Sequence, residues 1–298
     1  MASTQDLKRR VRSITNTRKV TRAMELVASA RLRRAQMRIE AFRDYADRML
    51  ELMAGVSRAA GAVRLPLLER REEIRTVAIV PVSADRGLAG GFNAQVIRRS
   101  LALMREHRAE GREVVWFSTG RKATSTLRFR RLPVAQSWIG FSERPAYTDA
   151  QAVSHAVSEA YTSGEVDAVY VVYNAFVSAL TQKVTVRELL PIPTEVLEAA
   201  EEAEQEEAAL GTPDFIYEPE PEEILARLLP VYVETELYRA LLESAASEQG
   251  ARMTAMRNAS KAAGELIDSL TLAMNRARQA EITQEILEVV AGADALSG

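Results

Sequence analysis

The stretch MTAMRNASKAAGELIDSLTLAMNRA, from Met253 to Ala277, decides the fold. Met253, Met256, Ser260, Ala263, Ile267, Leu270, Met274 and Ala277 recur at alternating steps of three and four, which sets all eight along one seam of a helix. A second register with the same steps lies near the other end of the chain: Leu32, Ala35, Ile39, Phe42, Ala46, Met49, Met53 and Val56. Helices in globular domains average three to four turns, whereas each register persists for about four heptads, so a coiled coil is predicted over paired amphipathic helices of an ordinary bundle. Neither register contains proline. At 1.5 Å per residue, single helices over 5–58 and 222–293 would measure roughly 80 and 105 Å, too long for the interior of a compact domain. Serine, alanine and methionine on the second seam allow a close approach without a rigid leucine zipper.

Charge is divided as sharply as periodicity. The formal net charge is only -2, yet residues 8–43 hold twelve Lys and Arg against Glu25 and Glu40, and residues 195–223 are strongly acidic with no Lys or Arg. A basic helix implies an acidic partner surface, which nucleic acid, anionic lipid or protein carboxylates would all provide. Val11, Ile14, Val20, Met24 and Val27 interleave with the basic residues, so one face of this segment wants burial. That weighs against a basic-helix DNA-binding protein, and a non-catalytic coiled-coil scaffold is the other alternative. The absence of cysteine excludes disulfides and thiolate metal sites, and His107 and His155 are not at zinc spacing. The opening residues have no apolar stretch, and no run of 18 apolar residues occurs, so the expectation is a soluble cytoplasmic protein with any membrane attachment indirect.

Between the registers the period changes. Residues 76–83 (TVAIVPVS), 113–119 (EVVWFST), 168–174 (AVYVVYN) and 183–187 (KVTVR) read as strands, with helices over 92–107 and 149–163. Strands alternating with helices imply a mostly parallel sheet covered on both faces. The predicted domains are residues 1–60, an N-terminal coiled-coil helix; 74–193, the α/β domain; 194–221, an acidic connector; and 222–298, the C-terminal coiled-coil helix.

The candidate for chemistry is the loop SADRGLAGGFN, Ser83 to Asn93, between a strand and a helix. Such a turn can cradle phosphate on backbone N–H groups. It lacks the lysine and hydroxyl of a Walker loop, and Gly87, Gly90 and Gly91 do not have dinucleotide-loop spacing, so a structural or docking turn is the favoured reading. Asp85 and Arg86 could pair with each other or present a polar contact. No serine, histidine or carboxylate arrangement suggests catalysis. No catalytic, cofactor-binding or metal-ligating residue is predicted.

Several stretches resemble the gamma subunit of F-type ATP synthases: Thr17 to Ser29 (TRKVTRAMELVAS), the loop Ser83 to Gly91, Tyr217-Glu-Pro219, Ala246 to Met256 (ASEQGARMTAM), Asn275 to Glu285 (NRARQAEITQE) and Val290 to Ala293. The matches fall in order from residue 7 to 296. Ala89 stands where many relatives have cysteine, the usual Asp-Asn pair is absent from residues 258–264, and the glutamate-rich segment 198–207 is particular to this chain.

The resemblance implies a long antiparallel coiled coil of N- and C-terminal helices with an inserted small Rossmann-like α/β domain. It also implies a non-catalytic rotor shaft that couples proton flow to ATP synthesis or hydrolysis, on the cytoplasmic face of the cell membrane. Its partners would be the alpha and beta subunits, the epsilon subunit and the membrane c ring, one copy per complex. Met24, Arg252, Arg278, Gln279, Thr283 and Glu285 would face the beta subunits, and Tyr217 and Glu218 the c ring or epsilon. Ile282, Ile286, Leu287, Val289 and Val290 would sit in an apolar sleeve.

Overall fold

The computed structural model describes residues 4–61, 65–193 and 218–297. Along the described chain run α1 (Thr4–Ala60), β1 (Thr76–Pro81), α2 (Phe92–Ala109), β2 (Glu113–Thr119), α3 (Arg121–Phe129), β3 (Val134–Trp138), α4 (Tyr147–Thr162), β4 (Ala168–Phe176), β5 (Gln182–Leu190) and α5 (Pro221–Ser297). The coiled-coil and inserted-domain architecture is therefore present. Two compact units divide it: residues 1–28 with 253–298, and residues 29–252.

In the first unit the start of α1 lies antiparallel to the end of α5. Thr4 Oγ1 donates to Glu281 Oε2 at 2.9 Å, Arg18 lies beside Gly264, and Arg257 Nε donates to Glu25 Oε1 at 3.0 Å. The predicted second seam faces inward as read: Met253, Met256 and Ala263 are buried and Ser260, Ile267, Leu270, Met274 and Ala277 half-buried. Its partner is a seam that apolar periodicity did not mark. Counting back from Leu32 by alternating steps reaches Ala28, Glu25, Thr21, Arg18, Ile14, Val11, Leu7 and Thr4. Leu7, Thr21, Glu25 and Ala28 are buried, and Val11 and Ile14 half-buried. Four of the eight are polar, which hid the register. A polar residue on a coiled-coil seam specifies alignment at some cost in stability.

The second unit is layered. The sheet has strand order β3-β2-β1-β4-β5, parallel except for the antiparallel β4–β5 edge pair. Alternation sends Val77, Ile79, Val114 and Trp116 to one face, where they pack with Val96, Leu103 and Leu127 of α2 and α3. Ala78, Val80, Phe117, Val169 and Val171 point to the other face, against Val153 and Val157 of α4, Met49, Met53 and Val56 of α1, and Leu225, Leu229, Val233 and Leu237 of α5. Burial on both faces is why these strands read as continuous apolar runs.

The register from Leu32 to Val56 belongs to the layered unit and the register from Met253 to Ala277 to the two-helix unit. Leu32 to Val56 packs within the layered unit, with Phe42 edge-on to Tyr238 at 4.8 Å between ring centroids. Residues 244–250 of α5 are buried on every side, as suits a helix enclosed by α1 and the sheet. Gly250 marks a close approach: a Cβ there would lie 3.0 Å from the carbonyl oxygen of Ala179 in the β4–β5 turn.

Two elements went unread in the sequence. Short α3 is rich in Thr, Arg and Lys, and β3 is a half-exposed edge strand, so neither has the strong apolar pattern that marks the others.

Candidate functional site

The loop from Ser83 to Asn93 is built to hold other segments. Ser83 Oγ donates to the Thr119 carbonyl at 3.0 Å and accepts from Ala123 N at 2.9 Å, joining the ends of β1 and β2 to α3. Gly120 makes this possible, because at φ +82° an added Cβ would fall 1.9 Å from the Ser83 carbonyl oxygen. Asn93 closes the loop, accepting from Ala84 N at 2.8 Å and donating to the Arg86 carbonyl at 3.3 Å. Asp85 does not pair with Arg86. Its carboxylate accepts backbone N–H groups from Arg121 (3.0 Å), Gly140 (2.9 Å) and Ser142 (3.2 Å), fixing the loop ahead of α4.

That fixed loop presents Glu143. Arg31 of α1 bonds its Oε2, while Arg86 Nη1 and Arg252 Nη1 lie 3.6 and 3.7 Å from its Oε1. Arg252 Nη2 also donates to Glu248 Oε1 at 2.6 Å and to the Gly87 carbonyl at 3.2 Å. Burial pushes the Glu248 carboxyl above the ordinary carboxylate range; Arg252 pulls it down, and Glu143 and Asp85 add to the upward push.

The same architecture disposes of a nucleotide cradle. Strand order reverses between β1 and β4, and ligands in open α/β sheets bind outside the carboxyl ends of the strands at that point. Here α5 occupies the place: Ser247 Oγ donates to the Asn174 carbonyl at 3.0 Å, at the end of β4. Leu241, Ser244 and Glu248 close against Val82, Ser83 and Thr119 around a void of about 10 Å³, room for at most one water.

The remaining predicted contact residues fall into two groups. Arg278, Gln279, Thr283 and Glu285 are exposed on α5, and Met24 is half-buried on α1. Thr283 Oγ1 donates to the Gln279 carbonyl at 2.9 Å, so those two share a helix face. Arg252 stands apart, only 7% exposed, its guanidinium held inside the chain. Glu218 is exposed, and Tyr217 lies outside the described residues. Every residue from Arg278 to Ala293 is exposed, and five of them are large and apolar: Ile282, Ile286, Leu287, Val289 and Val290.

Sequence reasoning missed Glu143 and the Glu25–Arg257 pair. Glu143 carries no local motif, whereas Glu25 was accessible by extending the heptad through polar positions.

A family model described as ATP synthase matches residues 3–296. The chain is 45% identical over 297 residues to the ATP synthase gamma chain of Rubrobacter xylanophilus, spanning 100% of this chain and 99% of that one. It is 44% identical over 296 residues to the gamma chain of Pelotomaculum thermopropionicum, spanning 99% and 100%.

The chain belongs to the ATP synthase gamma-chain family.

Among solved structures, the central stalk and c ring of Tetrahymena thermophila mitochondrial ATP synthase includes a chain similar at 27% identity and TM-score 0.57, over 81% of this chain and 99% of that one. A chain from Euglena gracilis mitochondrial ATP synthase matches at 18% identity and TM-score 0.67, over 98% and 94%, which speaks to the fold alone. As a gamma chain the protein is a non-catalytic rotor shaft, coupling proton flow to ATP synthesis or hydrolysis. Among the described residues no helix is long and apolar enough to cross a membrane.

Proposed function

We propose that the exposed end of α5, with Met24 of α1, is the surface that the beta subunits read as the shaft turns. The observation that carries this reading is the run from Arg278 to Ala293, exposed throughout and bearing five large apolar side chains. An apolar surface of that kind calls for an external sleeve. Arg278, Gln279, Thr283 and Glu285 add polar groups beside it, and an arginine can present several donors in a fixed fork to a carboxylate. An asymmetric shaft that favours a different state in each surrounding subunit as it rotates would bias their conformational equilibria, which is all that a non-catalytic subunit has to contribute. Arg252 is left out of this contact set because Glu248, Glu143 and the Gly87 carbonyl already hold it.

In this reading 1–60 and 222–298 form the shaft, 74–193 the foot, and 194–221 the connector. Tyr217 and Glu218, at the end of that connector, would meet the c ring or the epsilon subunit. One copy would serve each complex, at the cytoplasmic face of the membrane and attached to it only through the other subunits.

The test is ATP-driven proton pumping by a reconstituted Arg278→Ala complex, scored against its ATP hydrolysis. Hydrolysis should persist while pumping per ATP falls severalfold. Pumping at the wild-type ratio would overturn the assignment of Arg278. Failure of the subunit to assemble would instead make Arg278 a folding residue.

A further inference from the structure

We propose that Glu143 is a torque clamp, the positioning residue through which both shaft helices are held against turning relative to the α/β domain. The proposal rests on the rotor reading and goes beyond it by naming where the helices are gripped.

Three observations converge on this carboxylate. It receives arginines from three separate segments: Arg31 from α1, Arg86 from the β1–α2 loop and Arg252 from α5. Two of these sit at the margin of the compact unit that spans Ser29 to Arg252, so Glu143 gathers an arginine from each helix where that helix leaves the domain. Finally, its own mount is rigid, because the Asp85 carboxylate accepts from the backbone of Gly140 and Ser142 on the same loop, and Ser142 Oγ accepts from Asp85 N at 2.9 Å.

A grip at this place answers a mechanical need. Apolar packing of Met49, Met53, Leu229 and Leu237 against the sheet keeps the helices attached, but such attraction is non-directional. The Arg31–Glu143 bond is charge-assisted and directional, whereas Arg86 and Arg252 meet the same carboxylate as ion pairs, Arg252 being aimed there by its hydrogen bonds to Glu248 and the Gly87 carbonyl. Glu143 is 25% exposed at its side chain and Arg31 40%, so the Arg31 tie adds little to folding stability. The placement of these ties, at the margin of the compact unit on both helices, suits a small lateral restraint on twist.

The experiment uses the intact complex with a bead or rod attached to the rotor, recording angular fluctuation of the stalled shaft for wild type, Glu143→Gln and Glu143→Ala. Both variants should assemble and hydrolyse ATP. The angular variance should rise in the order wild type, Gln, Ala, reaching roughly twofold for Ala once the Arg31 hydrogen bond and the two ion pairs are gone. Unchanged variance in an assembled Glu143→Ala complex would overturn the clamp. If Glu143→Ala fails to assemble, Glu143→Gln decides: wild-type variance there overturns the proposal, and a broadened distribution supports it. Wild-type complexes that show no ATP-driven rotation of this chain would instead refute the rotor reading, a different outcome from rotation with unaltered stiffness.

Discussion

Glu25 and Glu248 are the same side chain, withdrawn from solvent to 5% and 1% exposure and each bonded to arginine, yet their carboxyls shift in opposite directions. Glu25 titrates below the ordinary carboxylate range, chiefly through its hydrogen bond with Arg257, with Arg22 assisting against the burial penalty. Glu248 titrates above it because burial outweighs Arg252. The difference lies in what surrounds them. Glu25 sits on the seam of a two-helix unit, where Arg22 and Arg257 keep their side chains 61% and 55% exposed and water is never far away. Glu248 lies under the loop at the sheet's switch point, and Arg252 beside it is 8% exposed at its side chain. Fractional exposure measures contact with water; desolvation also depends on how deep the surrounding protein is.

The largest expected effect tests that difference with apolar residues. Leu237→Ala, in the layered unit, should cost about 3 kcal/mol, whereas Met256→Ala, nearly as buried on the two-helix seam, should cost about 2 kcal/mol because a thin unit collapses onto the gap more readily. Urea unfolding of the purified full-length chain measures both, and equal costs would remove the contrast. The next effect is electrostatic. A depressed pKa contributes stability above the unfolded value, near 4.5 for Glu25, and that contribution is lost as pH falls through the folded value. Glu25→Gln should therefore destabilise the chain by about 1 kcal/mol at pH 7 and flatten the acid limb of its stability profile.

A raised pKa reverses the sign. The contribution of Glu248 is fully present below about 4.5 and is lost as pH rises through its higher folded value. Glu248→Gln, which keeps an acceptor for Arg252, should be at least as stable as wild type at pH 7, the difference vanishing in acid. A loss of more than about 1 kcal/mol at neutral pH would mean that pairing with Arg252 outweighs desolvation. The smallest effect belongs to the exposed end: Leu287→Ser should change unfolding by less than about 0.5 kcal/mol, and a larger loss would mean that Leu287 packs within the chain.

Much of the fold was legible wherever one side-chain property repeats. The seam from Met253 to Ala277 faces inward as its spacing required, and the apolar runs around Val77, Trp116 and Val171 became strands buried on both faces. The Thr4-to-Ala28 seam was harder to read because Thr, Arg and Glu occupy half its positions, although its spacing is unbroken. The candidate site was legible only at its exposed end. Arg252 and Arg278 both stand in motifs similar to those of the family, and nothing in their local sequence shows that the first is enclosed and the second open to solvent.

By itself the sequence determined two long helices, a sheet between them and the absence of any recognisable catalytic motif, because periodicity and residue chemistry are local properties. Only the tertiary structure decided which register faces which partner, that α5 fills the crevice where a related sheet would take a ligand, and that Glu143 draws arginines from three segments. Those outcomes depend on residues more than a hundred positions apart meeting at one point. No local pattern encodes such a meeting, since it needs the close approaches at Gly120 and Gly250, each made to a distant segment.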